Sequence, residues 1–281
     1  MSKLIQRLLT FFIGLPVVIG LVCLHQYHHL ALHLVIIAVS VCAAIELHGI
    51  FSCLGCLQHK AVTAFMSALP PVMALCASLL SLPYVYVDFV FVGAVLLSLA
   101  LEVITAETFE HSNLRLLSSS FIVFYSGYLP TFIVRMTAFE HATEYIALFL
   151  VLVFMCDSLA WLFGNLFGKN NRGFIKASPN KSIAGFAGGI LGSVASALLA
   201  RFLLPEVFTF QLLPAGLLGL FISLCAIVGD LAESVFKRSA HCKDSGAIIP
   251  GRGGILDSID SVVFAAPVFY VILTVLNGTA V

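Results

Sequence analysis

Residues 207–229 read VFTFQLLPAGLLGLFISLCAIVG, and residues 258–277 read SIDSVVFAAPVFYVILTVLN. The first stretch contains no Asp, Glu, Lys or Arg, and the second contains only Asp260. A helix that crosses a bilayer needs roughly 20 mostly apolar residues, so each stretch predicts a membrane span. Working outward, comparable apolar stretches lie at 8–25, 30–50, 61–81, 84–105, 116–134, 145–166 and 182–203. The stretch at 8–25 lacks a small-residue cleavage site and is read as an anchor rather than a signal peptide. Composition agrees with this reading. Of 281 residues, 60% are hydrophobic and only 10% charged, whereas soluble domains carry roughly a quarter charged. A soluble globular domain is therefore excluded. Fourteen basic residues balance 14 acidic ones, which leaves no global field to attract nucleic acid. The expected fold is all-α, a polytopic integral membrane protein with about nine transmembrane helices and a polar site facing the cytoplasm.

The positive-inside rule orients these spans. With the N-terminus inside, Lys3, Arg7, Lys60, Arg115, Lys169, Arg172, Lys176, Lys181, Lys237, Arg238, Lys243 and Arg252 fall on the inner face, and only Arg135 and Arg201 fall outside. Two inner segments, 168–181 and 235–256, carry eight of the 14 Lys and Arg residues. The two spans between them return both segments to one face of the membrane, where the chemistry is expected. One domain, 1–281, is predicted, with 1–144 mainly scaffold spans and 145–281 carrying the motifs.

The second segment and its flanks run Gly229-Asp230, Glu233-Ser234, Lys237-Arg238, Lys243-Asp244-Ser245-Gly246, then Pro250-Gly251-Arg252-Gly253-Gly254-Ile255-Leu256-Asp257, ending at Asp260-Ser261. On a helix Asp230, Glu233, Ser234 and Lys237 share one face, as do Asp257, Asp260 and Ser261. Neighbouring carboxylates repel unless a cation sits between them, and Mg²⁺ prefers oxygen ligands. Asp230, Asp257 and Asp260 are therefore candidate metal ligands. Glycines around Arg252 let backbone N–H groups approach a phosphate, and the start of the last helix favours an anion. Lys237, Arg238, Lys243 and Arg252 are candidates to neutralise phosphate charge. The alternative for single residues is structural: Asp257 as a helix cap, the cations as headgroup anchors, the glycines as a turn. No Gly-Lys-Ser/Thr follows the Walker spacing, so P-loop chemistry is not supported.

The stretch from Ser234 to Asp260, with Lys237-Arg238, Lys243-Asp244, Gly253-Gly254 and the Asp257/Asp260 pair, resembles the signature of the bacterial phosphatidate cytidylyltransferases, or CDP-diacylglycerol synthases. The resemblance extends to Asp157-Ser158-Leu159-Ala160-Trp161, Gly164, Phe167-Gly168-Lys169, Ser178-Pro179-Asn180-Lys181-Ser182, Gly185 and Gly188-Gly189, with fainter echoes at Arg7, Thr10, Pro16 and Glu46. It implies a nucleotidyltransferase that moves CMP from CTP to phosphatidic acid, giving CDP-diacylglycerol and pyrophosphate in phospholipid biosynthesis. It also implies a multi-pass protein of the bacterial inner (cell) membrane with its active site facing the cytoplasm. The residues expected to carry catalysis are Asp230, Lys237, Arg238, Lys243, Asp244, Asp257 and Asp260. Those expected to bind substrate are Ser178, Lys181, Ser182, Arg252, Gly253 and Gly254. One or two Mg²⁺ ions are expected on Asp230, Asp257 and Asp260, with Asp157 as a second-site ligand or an electrostatic partner of Lys181. The sequence departs from the family pattern with Arg252 for the usual His, Ser258 for the usual Arg, Ser182 for Thr and Ile183 for Trp. Arg252 is read as replacing the charge absent at Ser258.

The competing reading is a membrane transporter of an ion or anionic substrate, since an intramembrane Asp157 also marks transport pathways. CDP-alcohol phosphotransferases are set aside because their D-G-x-x-A-R motif is missing. Glu46 and Glu102, near inner span ends, are expected to face solvent or headgroups. Cys23, Cys42, Cys76, Cys156 and Cys225 lie in apolar runs and read as packing residues. His48, Cys53, Cys56 and His59 form a weak zinc pattern, and His25, His28, His29 and His33 are read as interfacial. Gly185, Gly188, Gly189 and Gly192 predict close packing of one span against a neighbour, of the same chain or of a second copy in a homodimer.

Overall fold

The computed structural model describes residues 17–249 and 253–277. Among them, eight helices are long and apolar enough to cross a membrane: α1 (Gln26–Leu54), α2 (Lys60–Leu80), α3 (Val85–Thr105), α4 (Ser112–Ala138), α5 (Ala142–Phe167), α6 (Ile183–Leu203), α7 (Leu212–Ser239) and α8 (Leu256–Asn277). They correspond to the second through ninth expected spans; of the first, 8–25, residues 8–16, with Thr10 and Pro16, lie outside the described residues, as do Arg7 and Arg252. The protein is thus an all-α polytopic membrane protein. Side chains such as Phe65, Phe89, Ile104, Leu117, Trp161, Phe202 and Val275 are more than half exposed. In water such a surface would aggregate; in lipid it is the ordinary outer face of a span.

The helices divide into two compact units. The first comprises Met1–Ala138 with Ser239–Ile259, and the second Phe139–Arg238 with Asp260–Val281. The motif-bearing segment 239–259 groups with the N-terminal half rather than with its neighbours in sequence.

In the first unit, α2 carries Pro70 and Pro71, and α4 is interrupted by a π-helical turn at Val123–Tyr128. That turn presents Gly127 to α2 so closely that an added Cβ would lie 2.6 Å from the Ser67 carbonyl oxygen. Two ion pairs replace the solvation that lipid cannot give. Arg135 pairs with Asp88, which also accepts from the Tyr128 hydroxyl at 2.8 Å, and the guanidinium lies 4.6 Å from the Phe132 ring centroid. Arg115 Nε donates to Glu102 Oε1 at 2.6 Å. Glu102 is 5% exposed, so the expectation of a solvated residue is corrected: Arg115 and Gln58 satisfy it inside the protein.

In the second unit, α5 and α6 pack backbone to backbone. A Cβ on Gly189 would lie 2.9 Å from the Cys156 carbonyl oxygen, and one on Gly188 2.5 Å from the Phe163 side chain. The small-residue stripe is thus filled within the chain. Ser182 starts α6 as its N-cap, its hydroxyl accepting from Gly185 N at 3.0 Å. Phe149, Leu152, Leu218, Ile222, Phe269 and Leu273 are fully buried.

Candidate functional site

In the second unit, a cavity of about 280 Å³ is lined by α5 residues Cys156, Asp157, Ala160, Trp161, Gly164 and Asn165, by Arg172, Asn180, Lys181 and Ser182 of the α5–α6 connection, and by Gly185, Phe186, Ile227 and Asp230. Lys181 Nζ lies 2.5 Å from Asp230 Oδ2. An antiparallel bridge between Arg172 and Ser182 folds the connection back on itself, and Arg172 donates to the Gly164 carbonyl at 3.0 Å. Two acids, Asp157 and Asp230, and two cations, Arg172 and Lys181, thus line one cavity. Such a balance suits an anionic ligand only if something offsets the acids.

Asp260 sharpens the point. It is buried, and its Oδ1 accepts from the adjacent Ser261 N–H at 2.7 Å. Asp230, Glu233 and Asp157 all lie within its electrostatic reach. Gly229 brings α7 against α8 there, since a Cβ on it would stand 2.7 Å from the Asp260 carbonyl oxygen. A buried carboxylate with three acidic neighbours is costly unless a cation joins it. Among the described residues no three His, Cys, Asp or Glu side chains form a ready metal cage. Mg²⁺ seldom uses one: it ordinarily takes one or two carboxylates and completes its shell with water and substrate phosphate. Asp260 and Asp230 fit that requirement.

In the first unit, the described residues between α7 and α8 are held by specific hydrogen bonds. Ile249 and Gly253 form an antiparallel bridge, N to O in both directions at 2.8 and 3.0 Å. Gly253 has φ +112, a conformation that side chains disfavour. Asp257 Oδ2 accepts from Ser245 N at 2.8 Å, Ser245 Oγ at 3.0 Å and Gly254 N at 2.7 Å. Asp257 thus ties residues 245 and 254 of the loop to the start of α8. Glu46 of α1 accepts from the same loop and is only 6% exposed. The expectation that it faces solvent or headgroups is corrected, because loop amides take the place of water.

The remaining candidates separate by unit. Asp157, Lys181, Ser182 and Asp230 come together at the cavity, with Ser182 engaged as a cap. Ser178 lies in a turn beside it, its carbonyl accepting from Lys181 N at 3.1 Å, and does not line the cavity. Lys237 is paired with Glu233 at 2.5 Å, and the exposed Arg238 donates to the Ala177 carbonyl at 3.3 Å. Lys243 and Asp244 are exposed at the start of the first unit's loop, while Gly253, Gly254 and Asp257 build its end. Ser258 Oγ lies 3.4 Å from the Gly254 carbonyl. Sequence reading missed Arg172, Asn165 and Glu46 as parts of these arrangements. Arg172 was visible only as one of the inner cations.

The other clusters do not form sites. His48 Nε2 contacts the Gln58 carbonyl at 3.0 Å, and His59 Nδ1 accepts from Ala61 N at 3.2 Å to cap α2. With all eight cysteines free and no metal-holding group among the described residues, the zinc pattern is not realised there.

An α-helical membrane protein with a cavity lined by acids and cations, and with glycines held at a helix start, is the class that fold and site define. Residues 5–276 match the cytidylyltransferase family, and the chain belongs to that family. It is similar to proteins named phosphatidate cytidylyltransferase. The one from Bacillus subtilis is 33% identical over 66% of this chain and 67% of its own length. That from Synechocystis is 34% identical over 56% of this chain and 62% of its own, and that from Staphylococcus epidermidis 40% identical over 46% and 49%. The chain thus aligns with between about half and two thirds of these relatives' lengths.

Proposed function

We propose that this protein is a phosphatidate cytidylyltransferase. A non-bridging oxygen of the lipid phosphate attacks the α-phosphorus of CTP, the bond from that phosphorus to the α–β bridging oxygen breaks, and pyrophosphate leaves with the electron pair. The nucleophile is already anionic, so no strong protein base is required; positioning and charge neutralisation carry the rate. The observation that supports this most is the Lys181–Asp230 pair lining a cavity, with the buried Asp260 within electrostatic reach of Asp230.

In this reading Lys181 and Arg172 hold phosphate oxygens, and Asn180 and Asn165 orient the ligand. Asp230 and Asp260 would hold Mg²⁺, with Asp157 the candidate for a second ion; the metal would supply charge stabilisation to the transferring phosphoryl group. Asp257, whose Oδ2 already accepts three hydrogen bonds, is assigned to the loop that carries Lys243, Asp244, Gly253 and Gly254. The distribution of Lys and Arg supports an active site facing the cytoplasm, and the similarity to bacterial relatives supports placement in a bacterial inner membrane.

The test is pyrophosphate release from CTP by detergent-purified protein with Mg²⁺, with and without phosphatidic acid, beside Asp260→Asn. Release that requires the lipid, and that falls by about 100-fold or more in the variant, is expected from the loss of a metal ligand. A folded wild-type protein that releases none across several lipids and divalent metals refutes the reading.

A further inference from the structure

The connection between α5 and α6, residues 168–182, reads GKNNRGFIKASPNKS. It holds Lys169, Arg172, Lys176 and Lys181 and no Asp or Glu. The connection between α3 and α4, expected on the same face of the membrane, is the reverse: it carries Glu107 and Glu110 and no Lys or Arg. Lys181 pairs with Asp230. Lys169, Arg172 and Lys176 are exposed, and among the described residues none of the three enters an ion pair.

A folded connection presents these cations. The Arg172–Ser182 bridge closes its base, where Ile183 N donates to Asn171 O and Asn171 N to Gly168 O, each at 3.2 Å. Arg238 of α7 reaches the Ala177 carbonyl and brings a further cation to the same surface. Phe174, half exposed, packs edge-on to Phe186 with ring centroids 5.5 Å apart. Phe167 and Ile183, at the ends of the two spans, are also more than half exposed. Cations beside exposed apolar groups at a span end suit a lipid, headgroup and chain together.

Juxtamembrane Lys and Arg attract anionic headgroups in general; two features narrow the partner here. A phosphate monoester carries about −1.5 to −2 charge near neutral pH, whereas a phosphodiester headgroup carries a single charge, so an array of cations without acids favours the monoester. The surface also runs into the cavity, because Arg172, Asn180, Lys181 and Ser182 belong to both. We infer that the α5–α6 connection is a docking surface for lipids with a phosphate monoester headgroup, on which Lys169 and Lys176 gather such lipids from the adjoining leaflet for the cavity. This rests on the cytidylyltransferase reading, in which such a lipid is a substrate. Neither lysine lines the cavity, so their contribution is to capture and not to the chemical step.

Trp161 supplies the readout. It is the chain's one tryptophan, lines the cavity and is 61% exposed. The full chain is reconstituted without CTP in phosphatidylcholine bilayers that contain increasing fractions of one lipid with brominated acyl chains. That lipid is phosphatidic acid, phosphatidylglycerol or phosphatidylcholine, and quenching of Trp161 fluorescence gives the preference for each. Wild type is compared with Lys169→Gln/Lys176→Gln and with the charge-keeping Lys169→Arg/Lys176→Arg. A juxtamembrane cation contributes about fivefold to the attraction of an anionic lipid, so the Gln pair is expected to lose at least about fivefold of the preference for phosphatidic acid. The Arg pair is expected to keep that preference, and high salt to reduce it in wild type. In turnover the Gln pair should raise KM for phosphatidic acid by about fivefold, with kcat and KM for CTP within about twofold, the signature of lost capture. Equal quenching by phosphatidic acid and phosphatidylglycerol would reveal a general anionic shell and overturn the proposal, as would an unchanged preference in the Gln pair. Selective quenching by phosphatidic acid in a wild type that does not turn over CTP supports the docking surface and removes the activity reading alone.

Discussion

Gly229→Ala adds one methyl group at the point where α7 meets α8. Built on the existing backbone, its Cβ stands 2.7 Å from the Asp260 carbonyl oxygen, 2.7 Å from Phe264 Cβ and 3.2 Å from Ser261 Cα. Two of the three obstacles are backbone atoms, which cannot rotate away, so the helices must separate by roughly 1 Å to restore ordinary carbon contacts of about 3.5–4.0 Å. Overpacking of this kind costs about 1–3 kcal/mol, and alanine's helix propensity returns about 1 kcal/mol; the net loss of stability is therefore on the order of 1 kcal/mol. Function should suffer more. Asp230 follows Gly229 directly, and Asp260 is the residue being pushed. A displacement of about 1 Å between reacting or binding groups costs on the order of 100-fold in rate. Lipid-dependent pyrophosphate release is measured beside the unfolding temperature in detergent, with Gly93→Ala as the control, because a Cβ there meets nothing within 4 Å. Gly229→Ala retaining activity within about 3-fold of the control would show that the spacing of Asp230 and Asp260 is not what the reaction needs.

Two further perturbations probe charges on which this account leans. Lys181→Met strips Asp230 of its ion-pair partner and should reduce initial rates by about 30-fold or more, Lys181→Arg by less, since a charge-assisted contact to phosphate is the strong kind; rates equal to wild type in both would remove Lys181 from the phosphate-binding set. Asp88→Asn leaves Arg135, whose side chain is 4% exposed, without its counter-ion. Because Asp88 itself is 38% exposed, the loss should be about 2 kcal/mol rather than the full cost of breaking a buried pair, read as a lowered unfolding temperature with turnover per folded molecule unchanged.

Hydropathy located the spans well because lipid sorts residues by polarity, and that property is local in sequence. The expected 61–81, 84–105 and 182–203 differ by only a residue or two from Lys60–Leu80, Val85–Thr105 and Ile183–Leu203. It failed where helix and lipid part company. The expected 207–229 stops at the first acid, whereas α7 continues to Ser239, and the shared face of Asp230, Glu233 and Lys237 was the better guide to that extension. The acids and cations of the cavity were legible as residue types, but the ion pair of Lys181 with Asp230 was not, because the two are far apart in sequence and only the fold brings them together. Glu46 was illegible as a loop partner for a different reason. Its donors include two backbone amides, which every residue but proline possesses, so no pattern of side chains betrays them.

The acids fall into two groups by what they accept. Glu46 and Asp257 are each held by several neutral donors from a single loop, while Glu102 and Asp88 accept from a buried or half-buried arginine. Replacing any of these should disturb structure first. Asp260 accepts one hydrogen bond, from its own neighbour, and lies among three other acids. Burial and mutual repulsion both oppose a charged Asp260, and the cations nearby are already engaged, Lys181 with Asp230 and Lys237 with Glu233. In the proposed function that cost would be offset when a divalent cation and a polyphosphate enter together. On that reasoning Asp260→Asn should be well tolerated as a folded protein, and even more stable than wild type without ligand, while losing turnover. A variant that instead unfolds, with no gain when metal is removed from wild type, would place Asp260 with the structural acids.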